Sequence, residues 1–126
     1  MKKIINTDKA PLPIGPYNQA VLINDVLYVS GQIAIDPQNN QLVVETIEAE
    51  THQVMKNLEA ILEEVEYSFD DVVKATIFLS EMTNFPTVNE IYGSYFKSSF
   101  PARETVAVAG LPKNVNVEIS VIAYKE

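Results

Sequence analysis

The chain has 126 residues, of which 47% are hydrophobic and 21% charged, and its formal net charge is -8. This size and composition predict one globular domain with a substantial core. The excess of acid opposes a wide phosphate-binding surface, so nucleic acid is a poor candidate ligand. With no cysteine and one histidine, disulfides and thiolate sites are excluded, and a histidine-cluster metal site or a Ser-His-Asp triad is hard to build.

The organisation along the chain is simple. The N-terminal MKKII is followed at once by NTDKAP, which is too polar for a signal peptide or a membrane span, so we expect a cytoplasmic protein without a membrane partner. No repeat, low-complexity tract or linker interrupts the pattern. We therefore expect a single domain over residues 1–126.

The first third of the chain predicts strands. A strand is expected around Lys3 to Asn6, followed by KAPLPIGPYNQ, whose three prolines and one glycine predict a fixed irregular loop. Two β-rich runs, QAVLI and VLYVSGQI, then flank Asn24-Asp25. This dipeptide predicts a two-residue hairpin turn.

A long amphipathic helix is predicted over Thr46 to Glu66, because apolar residues recur at helical spacing from Ile47 to Val65. Its polar face has five members: Glu48, His52, Lys56, Glu59 and Glu63. The lone His52 is therefore interpreted as a solvated helix residue rather than a catalyst.

The rest of the chain predicts a strand, a helix and two strands. VVKATIFL alternates like a strand, and TNFPTVNEIYGSYF returns to helical spacing, with Thr83 or Asn84 as its cap and Pro86 in its first turn. The last two strands are expected at Ala102 to Ala109 and Val115 to Tyr124. The order β-β-β-α-β-α-β-β indicates an α+β fold in which two helices cover a sheet.

One face of this predicted sheet has no helix to cover it. That face carries Tyr28, Ile122 and Tyr124, which are too apolar to leave in water as one patch. We therefore expect a homo-oligomer that buries the second face against its own copies.

Arg103 is the only arginine and lies in FPARETVAVAGLP. Strand alternation places it with the small residues Thr105, Ala107 and Ala109, so we expect the guanidinium to stand beside open space. This arrangement suits a small anion, because a planar guanidinium can hold a carboxylate through two parallel hydrogen bonds. The alternative is an ion pair at the sheet edge, although the adjacent Glu104 points to the opposite face.

Glu118 interrupts the apolar strand Val115 to Ala123. Alternation places it on the same face as Asn116 and Ser120, opposite the valine and isoleucine positions. It is either an exposed residue on a solvated face or a functional carboxylate near a cleft. Partial burial would raise its affinity for a proton and allow it to activate a water molecule.

Several segments together resemble the RidA/YjgF family of reactive-intermediate deaminases. They are IGPYNQA, YVSGQI, VNEIYGSYF, and PAR-x-T-V-x-x-A-x-L followed by VEI, and they span about Ile4 to Tyr124. The resemblance implies a chorismate-mutase-like α+β fold of about six strands with two helices on one face. It also implies a homotrimer with clefts between subunits, which hydrolyse 2-imino acids such as 2-iminobutanoate and 2-iminopropanoate, or their enamines, to 2-oxo acids and ammonia.

The resemblance also assigns site residues. Arg103 matches the arginine that grips the substrate carboxylate, and Glu118 matches the glutamate that positions the attacking water. Tyr17 and Ser30 match hydroxyl groups of the family's cleft, and Asn89 matches a helix asparagine that faces the site. Gly31 and Thr105 match positions whose backbone amides help to hold the ligand. Because an iminium carbon is already electrophilic, the reaction calls for no metal, flavin or covalent nucleophile.

Two departures and two alternatives accompany this resemblance. Glu104 stands where the family usually has a small residue, and Thr105 where it often has cysteine, so Glu104 brings negative charge near an anion site.

A trimeric module that senses a small carboxylate would keep Arg103 without depending on Glu118. The endoribonuclease or translation-inhibitor function attached to similar proteins fits poorly with the net charge of -8 and with His52 on a solvated helix face.

Overall fold

The structure is a computed structural model that describes residues 1–126. Its helices and strands follow this order: β1 (Lys3–Ile5), β2 (Ala20–Ile23), β3 (Val26–Gln32), β4 (Ile35–Asp36), β5 (Gln41–Leu42), α1 (Ile47–Glu64), β6 (Val72–Leu79), α2 (Phe85–Ser94), β7 (Ala102–Ala107) and β8 (Val117–Tyr124). Apart from the small β4–β5 hairpin, which the sequence pattern did not reveal, the predicted order of elements is confirmed.

Six strands form one mixed sheet in the spatial order β1-β2-β3-β8-β6-β7. The pair β6 and β7 is parallel and the other pairs are antiparallel. Parallel neighbouring strands need a crossover connection, and α2 provides it between β6 and β7. The helix returns the chain to the end of the sheet at which β6 began. The final strand β8 fills the centre of the sheet, which brings Glu118 into the middle of the fold.

The core lies between the sheet and α1. The Thr46 hydroxyl caps α1 by accepting a hydrogen bond of 3.0 Å from the backbone N–H of Ala49. The stripe facing the sheet is completely buried and comprises Val54, Met55, Leu58, Ile61 and Leu62. Each such side chain contributes about 1.5–3 kcal/mol on leaving water, so this stripe fixes α1 on the sheet.

The start of α2 differs from the prediction. A single 3-10 turn, Met82–Asn84, precedes the helix, and Asn84 occupies the cap position without a side-chain cap hydrogen bond. The Thr83 hydroxyl donates instead to the carboxylate of Glu81 at 3.3 Å. Asn84 is therefore the N-cap residue, as predicted, but neither its side chain nor that of Thr83 makes the capping hydrogen bond. The prediction for Pro86 is confirmed, because it lies in the first turn, where its missing N–H leaves no bond unmade.

The hairpin between β2 and β3 turns at the predicted dipeptide. Asn24 and Asp25 have φ angles of 49° and 67°, and the strands pair directly from Ile23 and Val26 outward. Asparagine and aspartate tolerate this left-handed backbone better than most residues do. The prediction of a two-residue turn is confirmed.

The sheet face away from the helices is apolar and uncovered within one chain. Its exposed members are Ile4, Tyr28, Val106 and Tyr124, and half-buried Ile122 lies among them. The prediction that Tyr28, Ile122 and Tyr124 share this face is confirmed. Neither helix combines the length and the apolar run that crossing a membrane requires.

Candidate functional site

A bulge in β3 shapes the wall around Glu118. The register between β3 and β8 shifts between Val29 and Gln32, so that Ser30 and Gly31 together lie opposite Ser120. A bulge of this kind bends the strand and changes the direction of its side chains. The Ser30 hydroxyl donates to the backbone oxygen of Asn18 at 2.6 Å, which ties the bulge to the irregular loop before β2.

Gly31 makes room for the carboxylate of Glu118. A Cβ atom built on Gly31 would lie 2.9 Å from Cδ and 3.1 Å from Cγ of Glu118 and would collide with its carboxylate oxygen. The backbone of Gly31 does not have a positive φ. The position therefore excludes a side chain because of close packing against Glu118 and not because of backbone conformation.

Replacing Gly31 with alanine should displace Glu118 without unfolding the sheet. A carboxylate moved by about 1 Å loses about 100-fold in rate when it must hold a water in line with an electrophile. Turnover of a 2-imino acid, the substrate class that the resemblance implies, and thermal melting measure the two effects separately. Gly110→Ala is the matched control, because a Cβ there meets nothing within 4 Å. Equal activity in both variants would contradict this role of Gly31.

The carboxylate of Glu118 is half-buried and accepts no hydrogen bond from the protein. Burial raises its pKa above the usual value, because desolvation penalises the charged form and no donor compensates. A carboxylate of this kind takes up a proton more readily at neutral pH. It is therefore suited to act as a general base toward a water molecule.

The cavity beside Glu118 has a volume of about 470 Å³. Four of the predicted site residues line it: Tyr17, Ser30, Gly31 and Glu118. Much of the remaining wall is aliphatic, including Leu12, Ile14 and Ile35. Gln32, Asn40 and Lys113 supply polar groups to the same wall. A cavity that combines aliphatic side chains with a few polar groups suits a small organic molecule with a short aliphatic side chain.

The loop that carries Tyr17 is irregular but well anchored, as predicted. The buried Gln19 side chain accepts a hydrogen bond of 2.6 Å from the N–H of Thr7. Its amide group also donates to the backbone oxygens of Thr7, Ala10 and Pro11 at 2.9, 3.2 and 2.7 Å. One side chain thus satisfies backbone groups that a loop without regular structure would leave unpaired.

Arg103 lies on the helix side of β7, where α2 holds it. Its Nη1 atom donates to Oδ1 of Asn89 at 2.6 Å. Its Cζ atom lies 5.4 Å from the ring centroid of Phe85 and 5.3 Å from that of Tyr92. The prediction of open space beside Arg103 is confirmed, because the side chain is exposed. Its neighbours are not all small, however, because α2 supplies two rings. A second cavity of about 380 Å³ borders Arg103, Asn89 and Tyr92.

Arg103 and Glu118 do not meet within one chain. Arg103 pairs with the buried Ala75 on the helix side of the sheet, whereas Glu118 pairs with Phe78 on the uncovered face. The two cavities have no lining residue in common. Thr105 lines neither cavity, and its hydroxyl is buried without a hydrogen-bond partner.

Glu104 points away from Arg103, as strand alternation predicts. Its carboxylate lies 3.3 Å from Nζ of Lys74 and accepts a hydrogen bond of 3.2 Å from the Thr76 hydroxyl. Both charged side chains are substantially exposed, so the pair adds little stability. Lys74 partly neutralises Glu104 within the same chain.

Glu50 is a buried carboxylate that the sequence interpretation missed. It is fully buried in the first turns of α1 and accepts hydrogen bonds from the backbone N–H groups of Asn116 and Val117, at 2.7 and 3.0 Å. It also accepts from the Asn116 side chain at 2.8 Å. The sequence did contain a sign of this burial. Glu50 lies four residues before Val54, so helical spacing places it on the buried stripe of α1. These bonds fix Asn116 and Val117, the two residues immediately before Glu118.

His52 belongs to neither cavity. It is exposed on α1, and its Nδ1 atom shares a hydrogen bond of 2.8 Å with the Tyr95 hydroxyl. The interpretation of His52 as a solvent-facing helix residue is confirmed. No group of three or more His, Asp or Glu side chains lies close enough to hold a metal ion.

Residues 7–125 match the protein-family model described as Endoribonuclease L-PSP. The match covers every element from β2 to β8. The chain belongs to the RidA/YjgF family. The crystal structure of YyfA, a Yersinia pestis member of the Rid family described as of unknown function, is 48% identical, with a TM-score of 0.96 over 99% of this chain and 100% of that chain.

This RidA/YjgF chain is similar in sequence to two proteins that carry different names. A RutC family protein of Saccharolobus solfataricus is 50% identical over 125 residues, which are 99% of this chain and 99% of that protein. The human 2-iminobutanoate/2-iminopropanoate deaminase is 47% identical over 125 residues, which are 99% of this chain and 91% of that protein. One of these two relatives is named for a deaminase activity and the other only for its family. The identities are nearly equal, so the comparison establishes the family and not the reaction.

Proposed function

We propose that this protein is a 2-iminobutanoate/2-iminopropanoate deaminase, which hydrolyses reactive 2-imino acids and their enamine tautomers to 2-oxo acids and ammonia. The observation that carries the proposal is the half-buried, unpaired carboxylate of Glu118, whose pKa is raised by burial. The name of the human relative supports the same reaction. The substrates would be those that pyridoxal-phosphate enzymes release in the cytoplasm.

The proposed site lies between two copies of the chain in a homotrimer with a chorismate-mutase-like arrangement. The support is that Arg103 and Glu118 are on opposite sides of one sheet, in separate cavities. A ligand that contacts both residues needs Arg103 from one copy and Glu118 from another. The apolar uncovered face supplies a surface on which such copies can associate.

The chemistry needs only positioning and proton transfer. Arg103 binds the carboxylate of the substrate through its free N–H groups and thereby fixes the adjacent iminium carbon. Glu118 accepts a proton from a water molecule while the water oxygen forms a bond to that carbon. Glu118 returns its proton to the carbinolamine nitrogen, and the C–N bond breaks to release ammonia. The hydroxyl proton passes to the ionised Glu118 as the C=O bond forms, and it leaves with ammonia as ammonium. The remaining carbon and oxygen form the 2-oxo acid.

The direct test couples threonine dehydratase and threonine to this protein, with semicarbazide competing for the imine. The wild-type protein should divert imine to free 2-oxobutyrate and reduce semicarbazone formation, whereas Arg103→Ala and Glu118→Gln should not. A wild-type protein that leaves semicarbazone formation unchanged with several amino-acid substrates would overturn the proposal. Tight binding of 2-oxo acids by such an inactive protein would establish the alternative, a carboxylate-binding module.

Ribonuclease activity is not favoured by the site. The net charge is -8, and Lys113 is the one basic residue that lines the Glu118 cavity. A site that binds RNA usually presents basic and stacking side chains along the backbone path.

A shared site predicts complementation between inactive variants. Arg103→Ala and Glu118→Gln chains, unfolded and refolded together in equal amounts, should recover about one quarter of wild-type activity, because one interface in four receives both intact residues in a randomly assembled ring. Each variant refolded alone is the control. Mixed trimers without any recovered activity would show that each site is contained in one chain.

A further inference from the structure

The face of α2 toward Arg103 carries two aromatic rings and one amide. Phe85, Asn89 and Tyr92 follow one another at spacings of four and three residues, which places them on one side of a helix. Phe85 and Tyr92 also belong to the packing between α2 and the core. The helix therefore presents this group of side chains to β7 as a rigid unit.

The two rings contact the guanidinium group and not only its aliphatic stem. Both ring centroids lie within the range of about 6 Å in which a cation is attracted to an aromatic face. The hydrogen bond from Nη1 to Asn89 fixes rotation of the group. An arginine has five N–H donors, so the remaining donors stay available for a ligand.

We propose that Phe85 and Tyr92 are positioning residues that hold the Arg103 guanidinium in the orientation that accepts a planar carboxylate. The rings lie beside the guanidinium and, together with Asn89, restrict its orientation. A lysine at this position would lose the planar contact with the rings, because its ammonium group has no plane. The inference rests on the proposed function, since it assigns the carboxylate of a 2-imino or 2-oxo acid to Arg103.

Phe85 is the residue to change, because it is half-buried whereas Tyr92 is only 3% exposed and packs against Phe96. Phe85→Leu and Phe85→Met keep an apolar side chain without a ring, and Phe85→Tyr restores the ring. Phe69→Leu is the matched control. Phe69 is buried against Tyr95 and Phe96 but does not contact Arg103.

The experiment measures the Kd for 2-oxobutyrate by calorimetry, the separate values of KM and kcat for the imine, and thermal melting. Phe85→Leu and Phe85→Met should raise Kd and KM by about 3- to 10-fold with a smaller change in kcat, and Phe85→Tyr should stay within about twofold of wild type. Phe69→Leu should lower the melting temperature and leave Kd unchanged.

The outcomes separate this inference from the proposed function. Wild-type binding of 2-oxobutyrate with unchanged Kd in both Phe85→Leu and Phe85→Met would overturn the positioning role alone. An equal rise in Kd in Phe69→Leu would also overturn it, because general loosening of α2 would then explain the effect. Wild-type protein that neither binds 2-oxobutyrate nor hydrolyses the imine would overturn the proposed function and this inference with it.

Discussion

Glu118→Gln should reduce turnover of 2-imino acids by about 10²- to 10⁴-fold, the usual contribution of a general base. Glutamine has nearly the same shape and cannot accept the proton of the attacking water. Steady-state hydrolysis of an imine generated in situ measures the loss. Glu104→Gln, on the opposite side of β7 from Arg103, is the control that also removes one negative charge. Activity within tenfold of wild type in Glu118→Gln would contradict the role of Glu118 as the base.

The same substitution should raise the melting temperature at neutral pH. The pKa of Glu118 is raised in the folded protein, so the folded state binds more protons than the unfolded state between the unfolded and folded pKa values. The contribution of Glu118 to stability is therefore greatest below the unfolded pKa and is lost as pH rises through the folded pKa. Melting curves of wild type and Glu118→Gln should accordingly converge in acid and separate as pH rises.

Glu50→Ala should cost about 3–5 kcal/mol of folding free energy, because removal of the acceptor leaves buried donors unpaired. The affected donors are the two backbone N–H groups and the one side-chain amide that begin β8. Glu50→Gln should cost much less, since its oxygen can still accept both backbone N–H groups and the Asn116 amide can rotate to pair with its nitrogen.

Chemical denaturation measures this effect on stability. Glu48→Ala is the matched control, since it lies in the same turn of α1 but is exposed, and it should change stability by less than about 0.5 kcal/mol. Similar losses in Glu50→Ala and Glu48→Ala would show that the hydrogen bonds of Glu50 do not stabilise the start of β8.

Local patterns predicted most of the fold. The spacing of apolar residues located both helices, alternation located β6 and β8, and Asn24-Asp25 located the hairpin turn. Apart from the missed β4–β5 hairpin, the errors occurred at the ends of elements. The predicted final strand began at Val115, but residues 112–114 form a 3-10 turn and Glu50 holds the next residues before β8 begins at Val117. Such an end is set by a partner more than 60 residues away, which a local pattern does not contain.

The candidate site was predictable in its charged residues and less so in their surroundings. Arg103 and Glu118 stand out because each interrupts an apolar strand. The rings of Phe85 and Tyr92 beside Arg103 were not predicted, because alternation describes neighbours within a sheet and not the helix packed above it. The bulge at Ser30 and Gly31 likewise depends on the pairing of β3 with β8. Neither feature leaves a regular spacing in the sequence.

The placement of Arg103 and Glu118 on opposite faces of one sheet has a consequence for how such a chain evolves. If the site is the proposed cleft between copies, a substitution beside Arg103 can be compensated by one beside Glu118 of the neighbouring copy, and one gene encodes both. Residues on the two faces should then vary together across homologous sequences although they do not touch within a chain. Contact maps inferred from correlated substitutions would report these pairs as false intrachain contacts, and those pairs would mark the two walls of the cleft.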